Sequence, residues 1–277
     1  MKFIKDNYVM LVIIALLVIA VAIISIYRRS PQFKEISIIP SSSPSPTIPK
    51  VEKYEVPILM YHYIRNAENE SELGKNLSVS PENFEKQMSW LKSNNYQTMR
   101  VAEIIDPERK SLSKIYFDQK KPIILSFDDG YLDAYTQALP ILQKYQMTAT
   151  FYIIRNYLGK DNYMNQVQIE ELEKAGFEIG SHTLSHPDLS KLTIEEAQRQ
   201  IVESKENALT FCYPAGKYND STIALVKDAG YQAAVTTHFG IATQDSLILE
   251  LPRVRVENGS GETLGNKISA AFEQSKR

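Results

Sequence analysis

The chain has 277 residues, 43% hydrophobic and 23% charged, which is enough for one large domain with a proper core and unlike a disordered or collagen-like composition. A formal net charge of −2 and a pI near 6.2 exclude a long-range field that would recruit nucleic acid, and no basic run stands out beyond the Arg28-Arg29 pair. The single cysteine, Cys212, excludes an intrachain disulfide and a CxxC metal site, so a metal here would have to be held by histidine and carboxylate.

From Tyr8 to Tyr27 the chain reads YVMLVIIALLVIAVAIISIY, twenty residues without a charge, glycine or proline and about the length that spans a bilayer as a helix. Tyrosines stand at both ends, where a membrane interface favours them. The apolar core is long and ends in Tyr27-Arg28-Arg29 rather than in small residues, which predicts an uncleaved single-pass anchor within residues 1–29 instead of a removed signal peptide. Lys2 and Lys5 on one side face Arg28, Arg29 and Lys34 on the other, so flanking charge does not set the orientation. Residues 30–55 hold Pro31, Pro40, Pro44, Pro46 and Pro49 among serines 41–43 and Ser45, a composition that cannot bury a core and reads as a linker.

From Val56 to the end, short apolar runs alternate with helical ones. PILMYHYI is followed by a helix capped by Ser80, with Pro81 at its first position and Phe84, Met88 and Leu91 on one face. YQTMRV, KPIILSF, TATFYII, FEIGSH, LTFCYP, YQAAVTTH and LELPRVRV come next, with helical stretches near 131–145, 165–175, 193–206, 219–229 and 261–275. That alternation predicts a parallel β/α domain, open sheet or barrel, whose site lies at the C-terminal ends of the strands. The strand ends carry the chemistry: His62 closes the first run, Asp128-Asp129 follow KPIILSF, His182 closes FEIGSH with His186 four residues on, Pro214-Ala215-Gly216 follow LTFCY, and His238 closes YQAAVTTH.

Asp128-Asp129-Gly130 taken alone is a turn signal. His182 and His186, in SHTLSH, are spaced to reach one ion from a turn, since Pro187 disfavours a long helix. Catalytic zinc sites keep three protein N or O ligands and an open position, so one aspartate with these two histidines completes a set, and the other aspartate is left to serve as a base.

In order and spacing, LSFDDGY, SHTLSH and FCYPAGKYND resemble the first three motifs of the polysaccharide deacetylase family, the NodB-like carbohydrate esterase family 4, closest to the branch that acts on poly-N-acetylglucosamine. The resemblance implies an α/β fold, an irregular (β/α) barrel of the NodB-like deacetylase type over residues 56–277, here preceded by one transmembrane helix. It implies metal-dependent removal of N-acetyl groups from N-acetylglucosamine polysaccharide, with Asp128 as catalytic base and with Asp129, His182 and His186 holding a divalent metal, Zn2+ first and Co2+ or Ni2+ as alternatives. Deacetylation of an acetylxylan-like ester and a non-catalytic wall-binding module are the rival functions. Many family members carry an arginine in the third motif, where this chain reads Phe211-Cys212-Tyr213-Pro214, which leaves the charge partner of Asp128 unassigned and Arg253 a candidate for it. The family's late Leu-x-His motif has no clean match, so His238 is the candidate general acid. Tyr213, Pro214, Arg253 and His62 are the expected substrate-side residues, with Tyr213 open to a core reading as well. The expected partners are the glycan and, through residues 8–27, a membrane, with no nucleic acid. A monomeric catalytic domain is expected on the extracellular side of the cell membrane.

Overall fold

The computed structural model describes residues 54–275 apart from 69, 106–113 and 117, so the expected anchor and nearly all of the linker lie outside the described residues. Among the described residues no helix is long and apolar enough to cross a membrane. Tyr54 is buried, and Glu55–Val56 pair antiparallel with Ala242–Thr243, so the folded unit already includes two residues that the sequence assigns to the linker.

Seven strands form the frame: β1 (Ile58–Tyr61), β2 (Lys121–Phe127), β3 (Thr150–Ile153), β4 (Glu178–Ser181), β5 (Thr210–Cys212), β6 (Ala233–Phe239) and β7 (Leu251–Arg255). Each pairs in parallel with its neighbour in chain order, and β7 pairs with β1, which closes a barrel. The barrel is irregular. β4 and β5 meet at one register pair, Ser181↔Phe211, and the β6–β7 register shifts between Val235 and Phe239. An additional strand, Tyr96–Met99, lies along Lys121–Ile124 of β2, while β1 takes Ile124–Phe127.

Both faces of these strands are buried, so they read as nearly continuous apolar runs, and the period of two assigns each side chain its layer. On β2, Ile123, Leu125 and Phe127 join Phe84, Met88 and Leu91 in the outer layer, whereas Ile124 joins Ile58, Tyr152, Cys212, Val235 and Leu251 inside the barrel. That inner series continues upward through Ser126 to Asp128. Helices cover the outside, among them α1 (Pro81–Ser93), α2 (Leu139–Tyr145), α3 (Gln166–Lys174), α4 (Ile194–Val202), α5 (Asp220–Asp228) and α6 (Gly261–Ser275). The Ser80 hydroxyl caps α1 by accepting from the Asn83 N–H at 3.2 Å, with Pro81 at the first position where its missing N–H costs nothing. Ahead of α2 the expected helix is π-helical over Ala134–Ala138, because Pro140 has no N–H to continue the ladder and Leu139 donates five residues back to Ala134.

Candidate active site

In a regular strand Asp128 and Asp129 would point to opposite faces. Here the strand has ended, and Asp129 (φ 74°) and Gly130 (φ 79°) take left-handed conformations in succession, which aspartate tolerates and glycine adopts freely. The bend keeps both carboxylates at the barrel mouth, Asp128 3% and Asp129 7% exposed. At the end of β4 a turn does the same for the histidines: Thr183 (φ 67°) and His186 (φ 60°) are left-handed, and the His186 N–H donates to the Thr183 hydroxyl at 2.9 Å.

The result is a three-donor cluster. Asp129 Oδ1 lies 3.3 Å from His182 Nε2 and 3.5 Å from His186 Nε2. His182 Nδ1 sits 2.7 Å from the Cys212 carbonyl, which accepts only from an N–H, so the tautomer is set and the Nε2 lone pair faces Asp129. Asp129 Oδ1 is buried and receives no hydrogen bond. A bare buried acceptor beside an imidazole lone pair is costly unless a cation sits among them. Two imidazoles and one carboxylate, with donor atoms mutually within 4.8 Å, fit a divalent ion of the zinc type.

Asp128 is held differently. Arg253, 1% exposed and projecting from β7, donates Nη1 to Oδ1 and Nη2 to Oδ2, both at 2.7 Å. Its remaining donors are engaged as well, Nε with the Thr236 carbonyl at 2.7 Å and Nη1 with the Ser126 hydroxyl at 3.1 Å. Burial by itself would raise the Asp128 carboxyl, but the Arg253 charge and its hydrogen bonds outweigh burial and hold the group well below the usual carboxylate range. Neighbouring carboxylates thus have separate partners, one a guanidinium and the other a set of metal-type donors.

The family described as polysaccharide deacetylase matches residues 117–234. The Bacillus subtilis (strain 168) protein YxkH, by name a polysaccharide deacetylase, is 34% identical over 257 residues, covering 88% of this chain and 87% of its own. The chain belongs to the polysaccharide deacetylase family. It is similar also to the poly-β-1,6-N-acetyl-D-glucosamine N-deacetylase of Staphylococcus epidermidis (27% identity over 246 residues, 78% of this chain and 83% of that one). Among solved structures, the Streptococcus pyogenes deacetylase PplD, in complex with acetate, superposes with a TM-score of 0.68 at 30% identity, over 77% of this chain and 98% of that one. This places the deacetylase among the hydrolases and agrees with a NodB-like (β/α) barrel.

The remaining expected residues of this deacetylase divide. The β1–β2 register pairs Tyr61 with Phe127, which sets the next residues, His62 and Asp128, level at the barrel mouth. His62 Nε2 lies 3.8 Å from Asp128 Oδ2 with its side chain 15% exposed. Burial lowers the His62 pKa and the charges of Asp128 and Asp129 recover only part of that, so the ring is neutral at neutral pH. His238 is a correction. His238, next to the end of β6, is exposed, and its ring contact is with the Tyr218 hydroxyl, 3.5 Å from Nδ1, rather than with either aspartate.

Tyr213, Pro214 and Arg253, expected on the substrate side, are all buried: Arg253 is spent on Asp128, and Tyr213 packs away from the two aspartates. Cys212 takes the inner face of β5, so Phe211 and Tyr213 point outward, 5.3 Å apart, and Tyr213 stacks on Tyr218 at 4.3 Å. Pro214 opens the turn that ends β5, where Ala215 and Gly216 are left-handed. Cys212 Sγ lies 3.6 Å from Asp128 Oδ2 and 3.3 Å from Arg253 Nη2, and burial pushes its thiol up, as expected of an inert core cysteine.

Proposed function

We propose that this chain hydrolyses N-acetyl groups on N-acetylglucosamine-containing polysaccharide, releasing acetate and leaving a free amine, with Asp128, Asp129, His182 and His186 in the roles that the resemblance implies. The observation that carries the reading is the split between the two adjacent carboxylates. Asp129 offers an unpartnered oxygen to two imidazoles, while both oxygens of Asp128 are taken by the Arg253 guanidinium, which keeps that carboxylate ionised and oriented.

A divalent ion bound by Asp129, His182 and His186 would supply Lewis acidity toward the acetamide carbonyl and lower the pKa of a water there. The side chains handle the proton. Asp128 accepts it from the attacking water, and Arg253 fixes the carboxylate plane for that transfer. Because Arg253 holds Asp128 well below the usual range, the carboxylate does not retain a proton at neutral pH, and His62, whose ring is neutral, is the imidazole within reach of it. His62, 3.8 Å from Asp128 Oδ2, therefore relays the proton to the departing nitrogen in place of His238, whose ring contact is with Tyr218.

The nitrogen substrate, rather than an ester, is supported by the named activity of the staphylococcal relative. Polysaccharide lies outside the cell, which supports an anchor through residues 8–27 with the catalytic domain extracellular. The deciding experiment is acetate release by the full chain on N-acetylglucosamine oligomers, peptidoglycan and acetylxylan, with and without chelator. Chelator-sensitive release from the amide substrates is expected. Release from acetylxylan alone would replace the amide by the ester, and full activity in Asp128→Asn would remove the base.

A further inference from the structure

Four tyrosines border the carboxylates on one side, and neither the hydrolytic step nor the metal-type cluster uses them. Tyr63 follows His62, and Tyr131 follows Asp129-Gly130. Tyr157 and Tyr163 come from the loop after β3, and all four rings are half-buried. The rings form one continuous run: Tyr63 to Tyr131 at 4.1 Å between centroids, Tyr131 to Tyr163 at 5.0 Å, and Tyr163 to Tyr157 at 5.0 Å. The run starts beside His62 and ends beside His186, where the Tyr157 hydroxyl lies 3.5 Å from the Ser185 carbonyl.

The backbone under this run is rigid. Tyr131 and Tyr163 form an antiparallel bridge, Met164 N–H donates to the Gly130 carbonyl at 3.0 Å, and Leu132 N–H donates to the Asn162 carbonyl at 2.8 Å. The outer ring faces are already covered, Tyr63 by the Arg65 guanidinium 3.6 Å from its centroid and Tyr157 by the Lys160 ammonium at 4.3 Å. Arg65 is itself neutralised by Glu70 at 3.0 Å. With those faces covered, the hydroxyls are the groups left for a ligand: that of Tyr63 donates to that of Tyr131 at 2.9 Å, and Tyr131 in turn bonds to Tyr163.

The geometry points to a sugar subsite in which Tyr63, Tyr131 and Tyr163, with Tyr157 closing the far end, hold by their hydroxyls the uncharged hexosamine unit next in the polymer to the one carrying the scissile acetamide. This rests on the glycan reading proposed above. Rigid amphipathic tyrosines give contact area and hydrogen bonds at little entropic cost, and an uncharged unit needs no counter-charge. A cluster that served only to pack these three loops would work equally well with phenylalanine, because packing uses the rings and not the hydroxyls.

The test compares the full wild-type chain with Tyr131→Phe and Tyr163→Phe, which keep the rings, and with Tyr163→Ala. Acetate release is measured on N-acetylglucosamine oligomers of increasing length, and binding of the pentamer is measured by calorimetry without reference to turnover. The expected result is that kcat/KM of the wild type rises from dimer to tetramer, that each Phe variant loses about tenfold in KM on the tetramer, equivalent to about 1.4 kcal/mol, and that pentamer affinity falls in parallel. Phe variants with unchanged length dependence and unchanged pentamer affinity would overturn the subsite. If the wild type releases no acetate but binds the pentamer and Tyr163→Phe does not, the hydrolytic reading fails and the subsite stands. No pentamer binding by the wild type at millimolar concentration ends the proposal.

Discussion

Arg253 and Asp128, 125 residues apart in the chain, form a fully buried two-point ion pair with both N···O distances at 2.7 Å. It joins β7 to the end of β2 across the barrel interior. Removing either partner leaves a charge buried without compensation, which costs far more than the intact pair contributes.

Arg253→Met is therefore expected to destabilise the fold by about 3–5 kcal/mol and to abolish acetate release, because Asp128 loses both its orientation and the charge that keeps it ionised. Thermal denaturation of the variant checks the first effect. Arg253→Lys, which keeps the charge but not the fork, should recover part of the stability and little of the rate.

The depressed Asp128 pKa also sets a pH window. A group whose folded pKa lies below its ordinary 3.8 contributes stability that is complete above that value and is lost as pH falls toward the folded pKa. The wild type should thus lose stability steeply below about pH 4, and Asp128→Asn should show a shallower acid slope in denaturant titrations. Equal slopes would detach Asp128 from the acid transition.

For the donor cluster, added zinc should raise the melting temperature of the wild type in proportion to the logarithm of free metal, and Asp129→Asn and His182→Ala should lose that response. Metal content by mass spectrometry after dialysis is the direct check. A bound equivalent retained by both variants would place the ion elsewhere.

Between the two histidines, His62→Ala is expected to lower kcat by about a hundred- to ten-thousand-fold, whereas His238→Ala stays close to wild type. Since burial lowers His62 from its ordinary 6.5 and the neutral ring is the useful form, the acid limb of kcat/KM should fall below pH 6.5 and vanish in His62→Ala. The reverse pattern in the two variants would return the proton relay to His238.

Gly180 on β4 faces the Tyr152 ring, and a Cβ there would lie 2.4 Å from Cε1. Gly180→Ala should cost about 1–3 kcal/mol in thermal denaturation, because an aromatic ring inside a closed barrel has nowhere to move. A neutral result would show that the interior relaxes more than close packing allows.

Most of the site's local chemistry was readable along the chain. Asp128-Asp129-Gly130 and His182 to His186 each supply their geometry from within a few residues, and the apolar runs located both at strand ends, because strand period, turn residues and ligand spacing are short-range properties. Period two would also have assigned Tyr213 correctly: with Cys212 inside the barrel, its neighbours must face the helices. The tyrosine run could not be read that way, since its members come from three strand ends and sixteen tyrosines in the sequence look alike.

The sequence by itself determined the β/α alternation, the two motif-borne groups of acid and imidazole, and the family. Only the tertiary structure decided which distant residues complete them: barrel closure brings Arg253 against Asp128, β1–β2 register sets His62 level with the same carboxylate, and His238 meets Tyr218 instead. Those are consequences of register and closure between strands, which depend on packing of the whole barrel and leave no mark in any short stretch of sequence.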